Sequence, residues 1–286
     1  MSSLRLVASI VVRGGLHVQS LGFRRYLPVG SPVESAREFD RWGIDEIALI
    51  LLDDDLEANR KLVSEVSKAI AVPLAAVGGI CDISDARAYI AGGADKLGFN
   101  KSLVENPRLV HEAARLFGEQ CVLASIDLVQ VDDLAVRWDY WRKSASDLNA
   151  ASWIREVESI GAGEILLNFP ERDGVGRGMD VETIQEAVDS TRLPVVAVGG
   201  IGTSAHAVEC FHAAKPSGIG VGNRLAHFEQ SILLFKKALA ESGAPMRAGV
   251  KASYADSPTD EAGRPIKKSE KILTDLLFQR IEPEKI

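Results

Sequence analysis

The chain has 286 residues, of which 46% are hydrophobic and 26% charged, and its net charge is -7. These values fit a soluble globular protein able to bury a large core, and the acidic balance argues against a general nucleic-acid or membrane-surface partner. No apolar stretch approaches the roughly 18 residues needed to span a bilayer, and the first residues lack the basic segment and apolar run of a signal peptide, so a cytoplasmic protein is expected.

Short β-branched runs alternate with longer amphipathic ones, the pattern of parallel βα units. Strands are predicted over 5–12, 46–53, 73–77, 96–99, 121–127, 164–168, 194–198 and 218–221. A long loop follows the first strand and carries His17, Gln19 and the cluster Phe23-Arg24-Arg25-Tyr26. Ser31-Pro32 offers a cap and a first-turn proline for a helix over 33–42, and Gly43 stops it. Asn106-Pro107 and Gly118 do the same for 108–117. The alternation Leu134-Ala135-Val136-Arg137-Trp138 predicts a small hairpin over 129–141, inserted over the mouth after the fifth strand. Past residue 248 comes a polar linker, 256–265. An amphipathic run with Ile272, Leu273, Leu276, Leu277 and Phe278 follows, read as an extension docking on the body of the protein or on a partner.

The two halves repeat. Val72-Pro73 followed by Val77-Gly78-Gly79-Ile80 returns as Leu193-Pro194 followed by Val198-Gly199-Gly200-Ile201, an offset of 121 (199 minus 78). Gly43-Ile44-Asp45-Glu46-Ile47 returns as Gly161-Ala162-Gly163-Glu164-Ile165 at an offset of 118. Solenoid repeats run to only about 20 to 50 residues, so this period is half a domain. Eight βα units have the size of a TIM barrel, and four of them make half of one. The expected fold is therefore α/β: a single (β/α)8 barrel over 1–248 built from two half-barrels, with a C-terminal extension over 249–286. An open doubly wound sheet is the main alternative, and the two-fold repeat favours closure. One repeat is unequal: Ala8-Ser9-Ile10-Val11 matches Ala124-Ser125-Ile126-Asp127, with a valine where its twin has a carboxylate.

In such barrels the working end is the C-terminal rim of the strands. Gly78-Gly79 follows the third strand and Gly199-Gly200 the seventh; Asn100-Lys101 follows the fourth and Gly222-Asn223 the eighth. Glycines there let backbone approach a phosphate, and the next helix N-terminus favours an anion. Two phosphate sites across the mouth are inferred, suited to a phosphorylated small molecule with a phosphate at each end. Cys81, Cys121 and Cys210 show no metal or disulfide spacing and read as buried or incidental thiols. His17, His111, His206, His212 and His227 share no ligand spacing, and three of them, His111, His206 and His212, read as solvent-side on helices. Asp53-Asp54-Asp55 serves as well for a helix N-terminus as for a metal. No metal or cofactor is expected.

Over roughly residues 4–248 the chain resembles the cyclase subunit of imidazole glycerol phosphate synthase, HisF. The resemblance rests on Asp45-Glu46, Gly93-Ala94-Asp95-Lys96, Val104-Glu105-Asn106-Pro107, Ile126-Asp127, Gly161 to Leu167, Arg172-Asp173-Gly174 and Gly199-Gly200. It implies ammonia received from a HisH-like glutaminase partner, passed along the barrel axis, and used at the mouth on a bisphosphorylated intermediate. Two aspartates, ending strands one and five, serve the family as general acid and base; here they are Val11 and Asp127. The family's strand-one lysine is Gln19, its strand-two aspartate Leu51, and the threonine after Arg-Asp-Gly Val175. Losing one member of an acid/base pair typically costs about 10² to 10⁴ in rate. Asp53, on the strand face of Leu51, and His17 are the candidate substitutes. The ammonia gate is kept as Arg5, Glu46, Lys96 and Glu164, and a docking aspartate as Asp95. The combination resembles diverged HisF-like proteins of surface-polysaccharide gene clusters, in which ammonia is destined for an acetamidino sugar and a third amidotransferase enzyme consumes it. A true histidine-pathway cyclase and a non-catalytic scaffold barrel are the rival readings.

Overall fold

The computed structural model describes residues 3–247 other than 133, 140–141 and 228–230, together with 260 and 266. The expected extension over 249–286 lies outside the described residues apart from those last two. In chain order the elements are β1 (Arg5–Arg13), β2 (Leu16–Leu21), β3 (Arg25–Gly30), α1 (Pro32–Arg41), β4 (Glu46–Leu51), α2 (Leu56–Ala69), β5 (Leu74–Val77), α3 (Ile83–Ala91), β6 (Lys96–Phe99), α4 (Ser102–Glu105) and α5 (Pro107–Phe117). There follow β7 (Val122–Val131), β8 (Leu134–Asp139), β9 (Ser144–Asn149), α6 (Ala150–Ile160), β10 (Glu164–Asn168), α7 (Val181–Asp189), β11 (Val195–Val198), α8 (Ser204–Ala214), β12 (Gly218–Val221), α9 (Asn223–His227) and α10 (Ser231–Glu241).

Eight of the strands run parallel and close on themselves in the order β1-β4-β5-β6-β7-β10-β11-β12, with β12 back on β1. This is the (β/α)8 barrel expected from the sequence. The strands read as nearly continuous apolar runs because both faces are covered: one by helices, one by the opposite strands. Leu6, Ile10, Ile47, Leu49, Leu97 and Ile126 point outward into the layer shared with the helices. Val7, Val11, Ala48, Ile50, Ala75, Val77, Leu123, Leu166 and Val196 point inward and fill the barrel. The helix starts follow the anticipated caps: Ser31 Oγ accepts from Glu34 N at 3.4 Å and Asn106 Oδ1 from Leu109 N at 3.4 Å.

Two departures concern the loops. The long first loop is a hairpin: β2 folds back on β1 with Val18 opposite Val11, and β3 pairs with β2. The insertion after the fifth strand is larger than the expected hairpin. β7 runs on to Val131, and β8 and β9 complete an antiparallel meander that packs on α6, where Arg137 stacks over Trp153 at 5.2 Å. Of the cysteines, Cys210 is buried as expected, whereas Cys81 is exposed.

Candidate functional site

The two ends of the barrel interior differ in chemistry. At the N-terminal end of the strands, Arg5, Glu46, Lys96 and Glu164 come together as a closed ring of alternating charge. Arg5 Nη1 bonds Glu46 Oε2 at 2.6 Å and Lys96 Nζ bonds Glu46 Oε1 at 2.6 Å. Glu164 receives the other Arg5 nitrogen and Lys96 as well. Both carboxylates are 4% exposed. Burial works against the Arg5 charge, but hydrogen bonds and attraction to Glu164 and Glu46 outweigh it and hold the guanidinium above its ordinary range. Beside the ring, Asp45 accepts from Leu6 N at 2.8 Å and from Lys236 Nζ at 2.6 Å. Exposed Asp95 accepts from Leu74 N at 2.9 Å.

At the other end the two-fold repeat becomes visible as ladder partners. In one half Asp127 sits beside Asn168; in the other Val11 sits beside Ile50. Polar chemistry is confined to the first pair. Asp127 is 6% exposed and accepts Asn100 Nδ2 at 2.8 Å. Burial pushes its carboxyl up to about 6, opposed by hydrogen bonds from Asn100 and Asn168 and by the field of Arg137. Because the folded carboxyl holds its proton more tightly than the unfolded one, Asp127 costs stability that grows as pH rises from the unfolded value through about 6. Asp127→Asn is therefore expected to be more stable than the natural chain at pH 8 and equal to it near pH 4, as measured by urea unfolding at both.

A cleft of about 200 Å³ opens above this layer, lined by Ser9, Val11, Gln19, Asn168, Asp173, Gly199, Gly200, Gly222, Asn223, Arg224 and His227 among others. Four of the expected phosphate-loop residues thus share one wall. The other four do not line this cleft. Gly78 and Gly79 close β5 against Leu51 and Tyr89, Asn100 turns inward to Asp127 and to Ser125 O at 2.9 Å, and Lys101 lies at 3.4 Å from Glu105 on the surface. Gly200 needs to be glycine on two counts: its φ is +93°, and a Cβ would fall 2.1 Å from Gly178 O. Gly200→Ala is expected to cost about 2 kcal/mol or more, seen as a fall of several degrees in thermal midpoint.

The hairpin β2–β3 is tied over the cleft. Asn223 Nδ2 donates to Ser20 O at 2.6 Å and its Oδ1 accepts from Ser20 N at 3.1 Å. Gly22 N donates to Asp173 O at 3.1 Å. Gln19 meets His227 across the opening. These contacts were missed from sequence, as was His206. Its Nδ1 accepts from Gly202 N at 3.2 Å, so this half-buried ring also braces the glycine loop.

Neither candidate substitute for the missing aspartate reaches the cleft. β4 ends at Leu51, which points outward into the helix layer, so Asp53 is past the strand and accepts from Gly15 N at 3.3 Å. Asp55 caps α2 through Ala58 N at 3.0 Å, the structural role for that acidic run. His17 is buried under α1, bonded to Ser35 Oγ at 2.8 Å, and burial lowers its imidazole to about 4.

A closed, duplicated (β/α)8 barrel with a charge ring at one end of its interior and a buried carboxylate beneath a glycine-lined cleft at the other defines the class: a duplicated TIM-barrel protein. A family profile described as "Histidine biosynthesis protein" matches residues 5–231. The chain is similar to the "Putative imidazole glycerol phosphate synthase subunit hisF2" of Vibrio vulnificus, with 34% identity over 268 residues, covering 93% of this chain and 98% of the relative. It is also similar to the "Imidazole glycerol phosphate synthase subunit HisF" of Thermococcus onnurineus, at 32% over 259 residues, 86% of this chain and 99% of the relative. For the subunit of the same name from Pyrobaculum aerophilum the identity is 36% over 251 residues, 86% and 98%. The chain belongs to the HisF family.

Proposed function

We propose that this barrel is the synthase subunit of a glutamine-dependent amidotransferase. The observation that carries the reading is the closed ring of Arg5, Glu46, Lys96 and Glu164 beneath an apolar interior. A glutaminase docks on the ring face near Asp95, and ammonia enters through the ring. Within the apolar layer of Val7, Ala48, Ala75, Leu123, Leu166 and Val196 only the neutral molecule travels cheaply, because an unpaired ion there is heavily penalised. At the mouth Asp127 is the remaining acid/base group. The loops at 199–200 and 222–223, which line the cleft, hold a phosphorylated ligand by backbone N–H groups. The protein acts in the cytoplasm; no helix among the described residues is long and apolar enough to cross a membrane.

The names of the relatives support imidazole glycerol phosphate synthase, and so histidine biosynthesis, as the process. A second reading has its own observation: the Val11–Ile50 pair leaves the strand-one half of the mouth without a proton carrier. In that reading ordinary cyclase chemistry is impaired and the ammonia goes to another acceptor, an acetamidino sugar of a surface polysaccharide, by way of a third enzyme. Complementation of a cyclase-deficient histidine auxotroph decides: growth establishes the first reading and rules out the second. No growth, with soluble protein that pulls down its neighbouring glutaminase, supports the second. Failure to form any glutaminase complex would refute the amidotransferase assignment itself.

A further inference from the structure

One buried polar atom in the cleft wall has no hydrogen-bond partner among the described residues: Oδ1 of Asn168. Asn168 is 3% exposed and stands in the cleft wall with Ser9, Val11 and Gly220. Its amide nitrogen is engaged by Ser125 Oγ at 3.1 Å and by Asp127, so the acceptor end is what remains. Leaving a buried acceptor unpaired costs about 1–3 kcal/mol. The equivalent position of the other half, Ile50, carries no polar atom at all. Other buried polar atoms also lack a partner among the described residues, Trp153 Nε1 and Ser231 Oγ among them, but of these residues Asn168 alone stands in the cleft wall, where a donor from outside the chain can be offered.

Strand β10 indicates which donor. Its inward residues are Glu164, Leu166 and Asn168: an entrance carboxylate, an apolar step, then the free acceptor. We propose that Asn168 Oδ1 accepts an N–H of ammonia leaving the barrel interior and holds it beside Asp127, with the nitrogen lone pair free to face the cleft. This rests on the ammonia-conduit reading and adds the group that positions the nucleophile. A ligand hydroxyl is the rival donor for the same atom, and the methanol control separates the two.

The full chain, labelled with nitrogen-15, is titrated with ammonium chloride in alkaline buffer, with sodium chloride and methanol as controls. The expected result is a saturable shift of the Asn168 side-chain amide and of the Ser125 and Gly220 backbone amides with ammonium chloride, and none with either control. In Asn168→Leu the half-saturating concentration should rise roughly tenfold, the equivalent of one hydrogen bond of about 1.4 kcal/mol. Asn168→Ser, which keeps an acceptor and little bulk, should retain part of the response. No shift at Asn168, an equal shift with methanol, or an unchanged titration in Asn168→Leu overturns the assignment. If amides near Arg5 and Lys96 respond and Asn168 does not, the conduit survives and the acceptor role falls. If no inward residue responds, both fall.

Discussion

An aspartate in place of Val11 is expected to destabilise the protein by about 2–4 kcal/mol at pH 8 and by clearly less near pH 4.5, as read from urea unfolding of both chains. Val11 is 6% exposed inside the barrel, and its ladder partners, Val18 and Ile50, are both apolar. A carboxylate there meets the same desolvation as Asp127 but lacks the two amide donors that Asp127 draws from Asn100 and Asn168. Its folded pKa therefore rises above the unfolded value. The folded state then binds the proton more tightly, so the penalty is complete above the folded pKa and fades as pH falls toward the unfolded one. A loss independent of pH would mean that the position is hydrated, and the apolar character assigned to this half of the mouth would be wrong. The same variant has a functional side. Gln19 and Ile50 remain unchanged around it, so Val11→Asp alone should not confer growth on the histidine auxotroph if the natural chain does not.

That asymmetry between the halves was half legible in the sequence. The eight barrel strands stand out because strands buried on both faces must be runs of Val, Ile, Leu and Ala, and the offsets near 120 align one half with the other. Ser31 and Asn106 announced their helices through side chains that satisfy free backbone N–H groups. What the sequence lacked was direction. Whether a residue at a strand end looks inward depends on where the strand stops and on its register. The spacing makes Asp53 a replacement for the lost carboxylate, yet β4 ends at Leu51 and that residue faces the helices. The sequence places His17 in a mouth loop, but β2 turns it outward beneath α1. The hairpin itself was hidden because Gly14, Gly15 and Gly22 break up its alternation and read as loop. The spacing places Asn100 in a phosphate loop but does not show that its side chain goes to Asp127. Asn168 gave no signal at all: a neutral amide at a strand end follows no pattern, and its position matters only through its pairing with Asp127.

Neutralising Glu164 with glutamine is expected to have the other large effect, on stability and on coupling together. Glu164 serves Arg5 and Lys96 at once, and both cations are only 15% and 16% exposed in their side chains. Without its charge they share Glu46 alone, and breaking a buried ion pair from one side typically costs about 3–5 kcal/mol. Some solvent reaches both cations, so a loss of about 2–3 kcal/mol is expected in urea unfolding. The control is Glu34→Gln, whose partner Arg37 is 45% exposed; that pair should be worth about 0.5 kcal/mol or less. Equal losses in the two variants would show the ring to be an ordinary surface feature. Stability alone does not separate a gate from a structural plug, because a ring that merely closes the barrel would also weaken it. The separating measurement is glutamine hydrolysed per nitrogen incorporated in the complex with the glutaminase. A gate predicts that Glu164→Gln and Lys96→Ala both raise this ratio, whereas a plug predicts a weaker protein with the ratio unchanged. In the second case the charges would belong to the stabilising face that such barrels commonly have at this end.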